Sequence, residues 1–138
     1  MPNPVKVLFV CMGNCVRSQM AEAIARHDAS DIILPESAGV HPLGFIDNTT
    51  QRVLQERGFS FDGQFSKGTR DPSLQKPDLI VNMSGVPGGS LFAGLPFEDW
   101  PIGDPFGEAI ELHRSICDDI ERHVKELAAR LRGERWTP

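Results

Sequence analysis

Near its start the chain carries a short, mostly apolar run, Lys6-Val7-Leu8-Phe9-Val10, with β-branched residues and closed by Cys11. A strand with no polar alternation is one covered on both faces, the habit of parallel sheets. A tight Gly13-Asn14 turn follows, and from Ser18 to about His27 the period becomes helical. Met20, Ala21 and Ile24 share one face there, with Gln19, Glu22 and Arg26 expected on the polar side. A second strand is expected over Ile32–Ser37, ending in Ala38-Gly39. Asp47 or Asn48 can cap a helix through Arg57, with Val53 and Leu54 inward and Gly58 as its stop.

Asp78–Met83 reads as a third strand and Phe97–Trp100 as a short fourth. Between them, Gly85, Pro87, Gly88, Gly89, Gly94 and Pro96 are too many breakers for an element. The final helix is the clearest, from about Gly107 to Arg132, with Ile116, Ile120, Val124, Leu127 and Leu131 recurring at helical spacing. Strands alternating with helices predict an α/β fold, a three-layer sandwich about a parallel sheet, in one domain over residues 1–138.

Charge and composition narrow the partners. A net charge of −5 argues against nucleic acid, because a polyanion needs a basic footprint. No apolar run is long enough to span a membrane, and Met1–Lys6 lacks the basic start and apolar core of a signal peptide. No membrane partner and a cytoplasmic location are therefore expected. Three cysteines in such a chain are expected as reduced thiols rather than a disulfide framework.

The chemistry concentrates in Cys11-Met12-Gly13-Asn14-Cys15-Val16-Arg17-Ser18. A strand turning into a helix N-terminus makes an anion site, since the first amides are unpaired and the macrodipole adds about half a positive charge. Gly13 and Asn14 tolerate the positive φ that a loop curling its amides inward requires. Arg17 supplies a planar fork for two oxygens of a tetrahedral anion. Cys11 lies under that positive field, which favours a thiolate, and Ser18 can donate its hydroxyl to it. The competing reading is a buried strand-end cysteine before an ordinary βα turn. A Walker loop and a dinucleotide fingerprint both fail, the first for want of Lys before Ser18 and the second for want of spaced glycines. No second Cys/His pair completes a zinc site, and no cofactor or metal is expected.

A thiolate displacing an alkoxide or phenoxide needs a proton donor. Asp104, in Trp100-Pro101-Ile102-Gly103-Asp104-Pro105-Phe106, would stand at the ligand-binding edge of the sheet; the alternative is a cap on the last helix. Trp100 and Phe106 flank it, either as an apolar wall for an aromatic leaving group or as ordinary core. Cys15 is either a partner for a reversible disulfide with Cys11 or a small filler behind the loop. Cys117 reads as core, His41 as a pocket-entrance or surface residue, and His27, His113 and His123 as solvated.

On the loop Cys11–Ser18, Ser37-Ala38-Gly39, Asp78–Met83 and Asp104-Pro105, in that order and spacing, the chain resembles the low-molecular-weight tyrosine phosphatases and the arsenate reductases of the same fold. The resemblance implies a four-stranded parallel sheet, Cys11 as nucleophile, Arg17 as phosphate clamp and Asp104 as general acid. It further implies Asn14 as the loop-shaping residue, Ser18 as thiolate donor, and Met12, Gly13, Cys15 and Val16 as the rest of the oxyanion cradle.

Departures divide the branches. Gln19 stands where phosphatases usually have Pro, and Phe97-Glu98-Asp99-Trp100 looks reductase-like. Yet Ser84-Gly85-Val86-Pro87-Gly88-Gly89 holds no thiol where reductase relay cysteines are expected, and Phe106 takes the place of a phosphatase tyrosine. The second loop cysteine is Cys15, while Val16 precedes the Arg. The expected activity is a phosphomonoester hydrolase acting through a cysteinyl-phosphate on Cys11, with phosphate esters or oxyanions such as phosphate and arsenate as partners. The alternatives are an arsenate reductase using an external small thiol of glutathione or mycothiol type, and a non-catalytic oxyanion-binding module.

Overall fold

The computed structural model describes residues 3–133; Met1-Pro2 and residues 134–138 lie outside the described residues. Among the described residues, four strands and four helices follow one another as β1 (Val5–Cys11), α1 (Arg17–Asp28), β2 (Ile33–Gly39), α2 (Asn48–Glu56), β3 (Leu79–Asn82), α3 (Gly88–Leu91), β4 (Phe97–Asp99) and α4 (Ile110–Gly133). All pairs are parallel, in the order β2-β1-β3-β4, so β1 is central.

Alternate residues of β1 enter two cores, which is why its sequence is apolar from Val7 onward, with Lys6 exposed near its start. Val5, Val7, Phe9 and Cys11 meet the inner faces of α1, α2 and α4, including Met20, Ile24, Leu54, Ile120 and Leu127. Leu8 and Val10 face the other way, onto Ala38, Ile80 and Phe92, where α3 and its flanking loops form the third layer. Fully burying one such side chain stabilises the fold by about 1.5–3 kcal/mol, so the two cores carry most of the stability.

The predicted boundaries hold within a few residues, with three departures. The breaker-rich stretch contains the single turn α3, because Asp99 Oδ1 accepts from Gly88 N at 3.1 Å and holds the turn in place. α4 begins at Ile110, three residues later than Gly107, whose φ of 80° is outside the helical region. The first turns of α1 have no polar side: Gln19 is fully buried and Glu22 nearly so, because loop 62–68 and Ser37 cover them. Asp47 caps α2 by accepting from Thr50 N at 3.1 Å, and Gly58, with φ of 74°, stops it.

Candidate active site

β1 delivers Cys11 to the C-terminal edge of the sheet, and residues 12–16 curl from there into α1. Val16 occupies the N-cap of α1 and has no side-chain acceptor, so the first amides of the helix remain for an anion. Asn14 has φ of 48°, the non-glycine residue with positive φ among the described residues. Gly39, the last residue of β2, lets the loop come close: a Cβ there would stand 2.8 Å from Asn14 N and 2.9 Å from Gly13 C.

In front of the loop is a cavity of about 230 Å³, with Cys11 and Arg17 among its lining and Asp104, Phe106, His41 and Leu43 around its mouth. Met12, Gly13, Cys15 and Val16 also line it. Of the sequence-predicted cradle, Asn14 and Ser18 are not in the cavity; both are fully buried beneath the loop. Arg17 is anchored through Nη1, which donates to Met83 O at 2.5 Å and Ile102 O at 3.1 Å. Its Nη2 lies 3.4 Å from Asp104 Oδ2, so one edge of the guanidinium faces the cavity.

Asp104 is half-exposed at the mouth. Its Oδ1 accepts from Phe106 N at 3.0 Å, and α4 begins only at Ile110, which excludes a capping role. Phe106 and Phe45 pair at the rim with ring centroids 6.5 Å apart, both exposed. Trp100 is not part of this wall. It is buried against Phe9, at 5.9 Å, and His123, at 5.0 Å, while Nε1 donates to Glu98 Oε1.

The nucleophile position is held from behind. Ser18 Oγ lies 2.9 Å from Cys11 Sγ, and Ser18 N donates to the same sulfur at 3.4 Å. Asn14 Nδ2 donates to Ser18 Oγ at 2.7 Å, while Asn14 Oδ1 accepts from Lys67 N at 2.8 Å. A backbone N–H only donates, so the Asn14 carboxamide has one orientation, and the hydroxyl hydrogen of Ser18 is left for the sulfur.

Cys15 and Cys117 are buried, and all three cysteines are free. Burial, reinforced by the neighbouring charges of Cys11, Asp47 and Asp104, pushes the Cys15 thiol up to about 12 against the pull of Arg17. Burial does the same to Cys117, also to about 12. His113, expected to be solvated, is buried on the apolar stripe of α4, with Nδ1 against Ala109 O and Nε2 3.4 Å from Asp47 Oδ2 but off the line of a hydrogen bond. His27 is exposed, as expected.

Loop 62–68 is the part of the site the sequence did not announce. Gly39 N donates to Lys67 O at 2.8 Å, Gly39 bridges Gly68, and Lys67 is buried with its ammonium 4.4 Å above the Phe65 ring. Burial lowers the Lys67 amine from its ordinary value, countered by Glu22 and Glu36. The loop has no period to read; the detectable signal is Gln19 itself, a polar residue beside Met20 and Ala21 that needs partners once α1 is buried.

Comparison with known proteins fits this architecture. The family model described as low molecular weight phosphotyrosine protein phosphatase matches residues 6–136. A glutaredoxin arsenate reductase of Synechocystis sp. is 30% identical over 139 residues, spanning 91% of this chain and 98% of that protein. The low molecular weight protein-tyrosine-phosphatase YfkJ of Bacillus subtilis is 38% identical over 103 residues, spanning 69% of this chain and 66% of that protein. A solved arsenate reductase in the phosphate binding state superimposes with a TM-score of 0.82 at 28% identity, covering 92% of this chain and 98% of that one.

Proposed function

The chain belongs to the low molecular weight phosphotyrosine protein phosphatase family, whose relatives of this chain include phosphatases and arsenate reductases, and we propose that this protein is a cysteine-dependent hydrolase of phosphotyrosine-like phosphomonoesters. The observation that carries this reading is Asp104, half-exposed at the mouth of the cavity that Cys11 and Arg17 line and bound to no helix terminus. Hydrolysis of an ester needs a proton donor there, whereas reduction of arsenate needs an accessible thiol. Residues 84–89 contain no cysteine, and Cys15 and Cys117 are buried and protonated at neutral pH.

The loop amides and the free edge of Arg17 take the phosphoryl oxygens, and this drawing of Arg17 onto the substrate releases Asp104 from it. Cys11 sulfur attacks phosphorus, the P–O bond to the leaving group breaks, and Asp104 gives that oxygen its proton. Water then attacks the cysteinyl-phosphate, yields a proton to the Asp104 carboxylate, and releases phosphate and the thiolate. Phe106, Phe45 and Leu43 form an apolar rim suited to an aromatic leaving group.

A second reading has one observation in its favour: similarity to the Synechocystis glutaredoxin arsenate reductase along almost the whole of both chains. In it an external small thiol attacks the Cys11 adduct. The test is release of phosphate from an aryl phosphate, alongside arsenate consumption with thioredoxin and with glutathione-type thiols. Aryl phosphate hydrolysis with arsenate as a competitive inhibitor is expected. Thioredoxin-dependent NADPH oxidation on adding arsenate, without aryl phosphate hydrolysis, would overturn the hydrolase.

A further inference from the structure

Behind the loop a line of side chains runs from the surface to the nucleophile, and each hydrogen bond in it as far as Ser18 Oγ has one possible direction. Arg26 Nη1 donates to Gln64 Oε1 at 2.7 Å. Gln64 Nε2 donates to Gln19 Oε1 at 2.7 Å, and Gln19 Nε2 donates to Asn14 Oδ1 at 3.1 Å. Asn14 Nδ2 donates to Ser18 Oγ at 2.7 Å, and Ser18 Oγ stands 2.9 Å from Cys11 Sγ.

Fixed groups impose that direction. A guanidinium has no acceptor, so it sets Gln64. Gln19 Nε2 also faces the carbonyls of Asn14 and Phe65, each at 3.1 Å, and these can only accept. The amide of Lys67 adds a second forced donor at Asn14 Oδ1. Turning Asn14 over would bring its Nδ2 against two donors and its Oδ1 against Ser18, drawing the hydroxyl hydrogen away from the sulfur. Gln19 and Asn14 are fully buried, so water does not repair such a turn.

We propose that Gln19, with Gln64 behind it, is a positioning residue that keeps the Ser18 hydroxyl donating to the Cys11 thiolate. Successive donors in one direction polarise one another, so the positive end at Arg26 reinforces the last bond. The inference rests on Cys11 being the nucleophile and is independent of which oxyanion it attacks. The charged and titratable groups around Cys11 are Arg17 and Cys15 of the loop, His41 after β2 and Asp104 before α4, and none of them belongs to the line.

The experiment is the pH dependence of Cys11 alkylation by iodoacetamide, with the modified residue identified by mass spectrometry and no substrate present. Ser18→Ala should move the midpoint upward by about one pH unit, the worth of one hydrogen bond to a charged group. Gln19→Leu keeps the bulk and removes the amide while Lys67 N still holds Asn14, so it should move the midpoint upward by less, and the double variant should go no further than Ser18→Ala alone. A Gln19→Leu protein whose melting temperature falls while its midpoint stays put would overturn the proposal, as would additive shifts in the double variant. If Gln19→Leu does not fold, Gln64→Leu replaces it, with a smaller upward shift expected and an unmoved midpoint contradicting the proposal. A parent protein in which Cys11 is unreactive at neutral pH would overturn the nucleophile assignment, and this inference with it.

Discussion

The two faces of the loop between β1 and α1 are built differently. Behind it, Asn14, Ser18 and Gln19 are fully buried and joined by hydrogen bonds of 2.7–3.1 Å whose donors and acceptors are forced. In front, the groups around the cavity mouth are partly or largely exposed: Asp104 meets Arg17 at 3.4 Å, and Leu43, Phe45 and Phe106 stand in solvent. The rear face holds the loop and the Cys11 sulfur in place, the preorganisation under which oxyanion stabilisation is strongest. Similar chains include both phosphatases and arsenate reductases.

The comparison breaks most completely at its centre. Cys11→Ser should abolish aryl phosphate turnover while phosphate still binds, because a hydroxyl is not ionised near neutral pH; steady-state kinetics and phosphate titration check both halves. Arg17→Lys follows, with a loss of about 10²–10³-fold in kcat, the scale of removing an oriented oxyanion donor. An ammonium cannot span two carbonyls on one side and two oxygens on the other. Near-normal kcat in that variant would show that the front edge of Arg17 does not act on the substrate.

Asp104→Asn tests the front alone. Turnover of aryl phosphates with poor leaving groups should fall by about 10²-fold, with little change for good ones, since only the former need a proton. An equal loss across a leaving-group series would remove Asp104 from the proton-transfer step. The smallest effect belongs to the rear. Gly39→Ala places a methyl against the backbone of Gly13 and Asn14, neighbours that cannot rotate aside, and should cost about 1–3 kcal/mol of stability and weaken phosphate binding. Denaturant unfolding and titration measure the two; an unchanged affinity would mean that the close approach of β2 does not shape the loop.

The front face was far more legible in the sequence than the rear. Cys11, Arg17 and Asp104 are chemically conspicuous, and each comes at the end of a readable element: an apolar run, the start of a helix, an Asp-Pro turn before another helix. The strands were legible for the same reason, since Val7–Val10 of β1 and Leu79–Val81 of β3 are buried and apolar without interruption. The rear depends on loop 62–68, which lacks any period, so nothing local predicts that Lys67 N would meet Asn14 across 53 residues of sequence. Gln19 and Glu22 were placed on a solvated side because helical periodicity alone does not reveal a covering loop. His113 is the opposite case. Its spacing from Ile116, Cys117 and Ile120 already sets it on the apolar stripe of α4, and residue type outweighed position in the reading. For Trp100 the sequence leaves wall and core open, because proximity to Asp104 does not set the direction of the ring, and the ring turns inward to Phe9.

In the proposed reaction Cys11 carries the phosphoryl group between ester and water. Rapid acid quench of the protein mixed with an aryl phosphate, followed by mass spectrometry of the peptide containing Cys11, tests it directly. A phosphoryl adduct on Cys11 should form within the first turnover, decay with release of phosphate, and be absent in Cys11→Ser. Turnover of the ester with Cys11 unmodified at every time point, or an adduct on another residue, would contradict it.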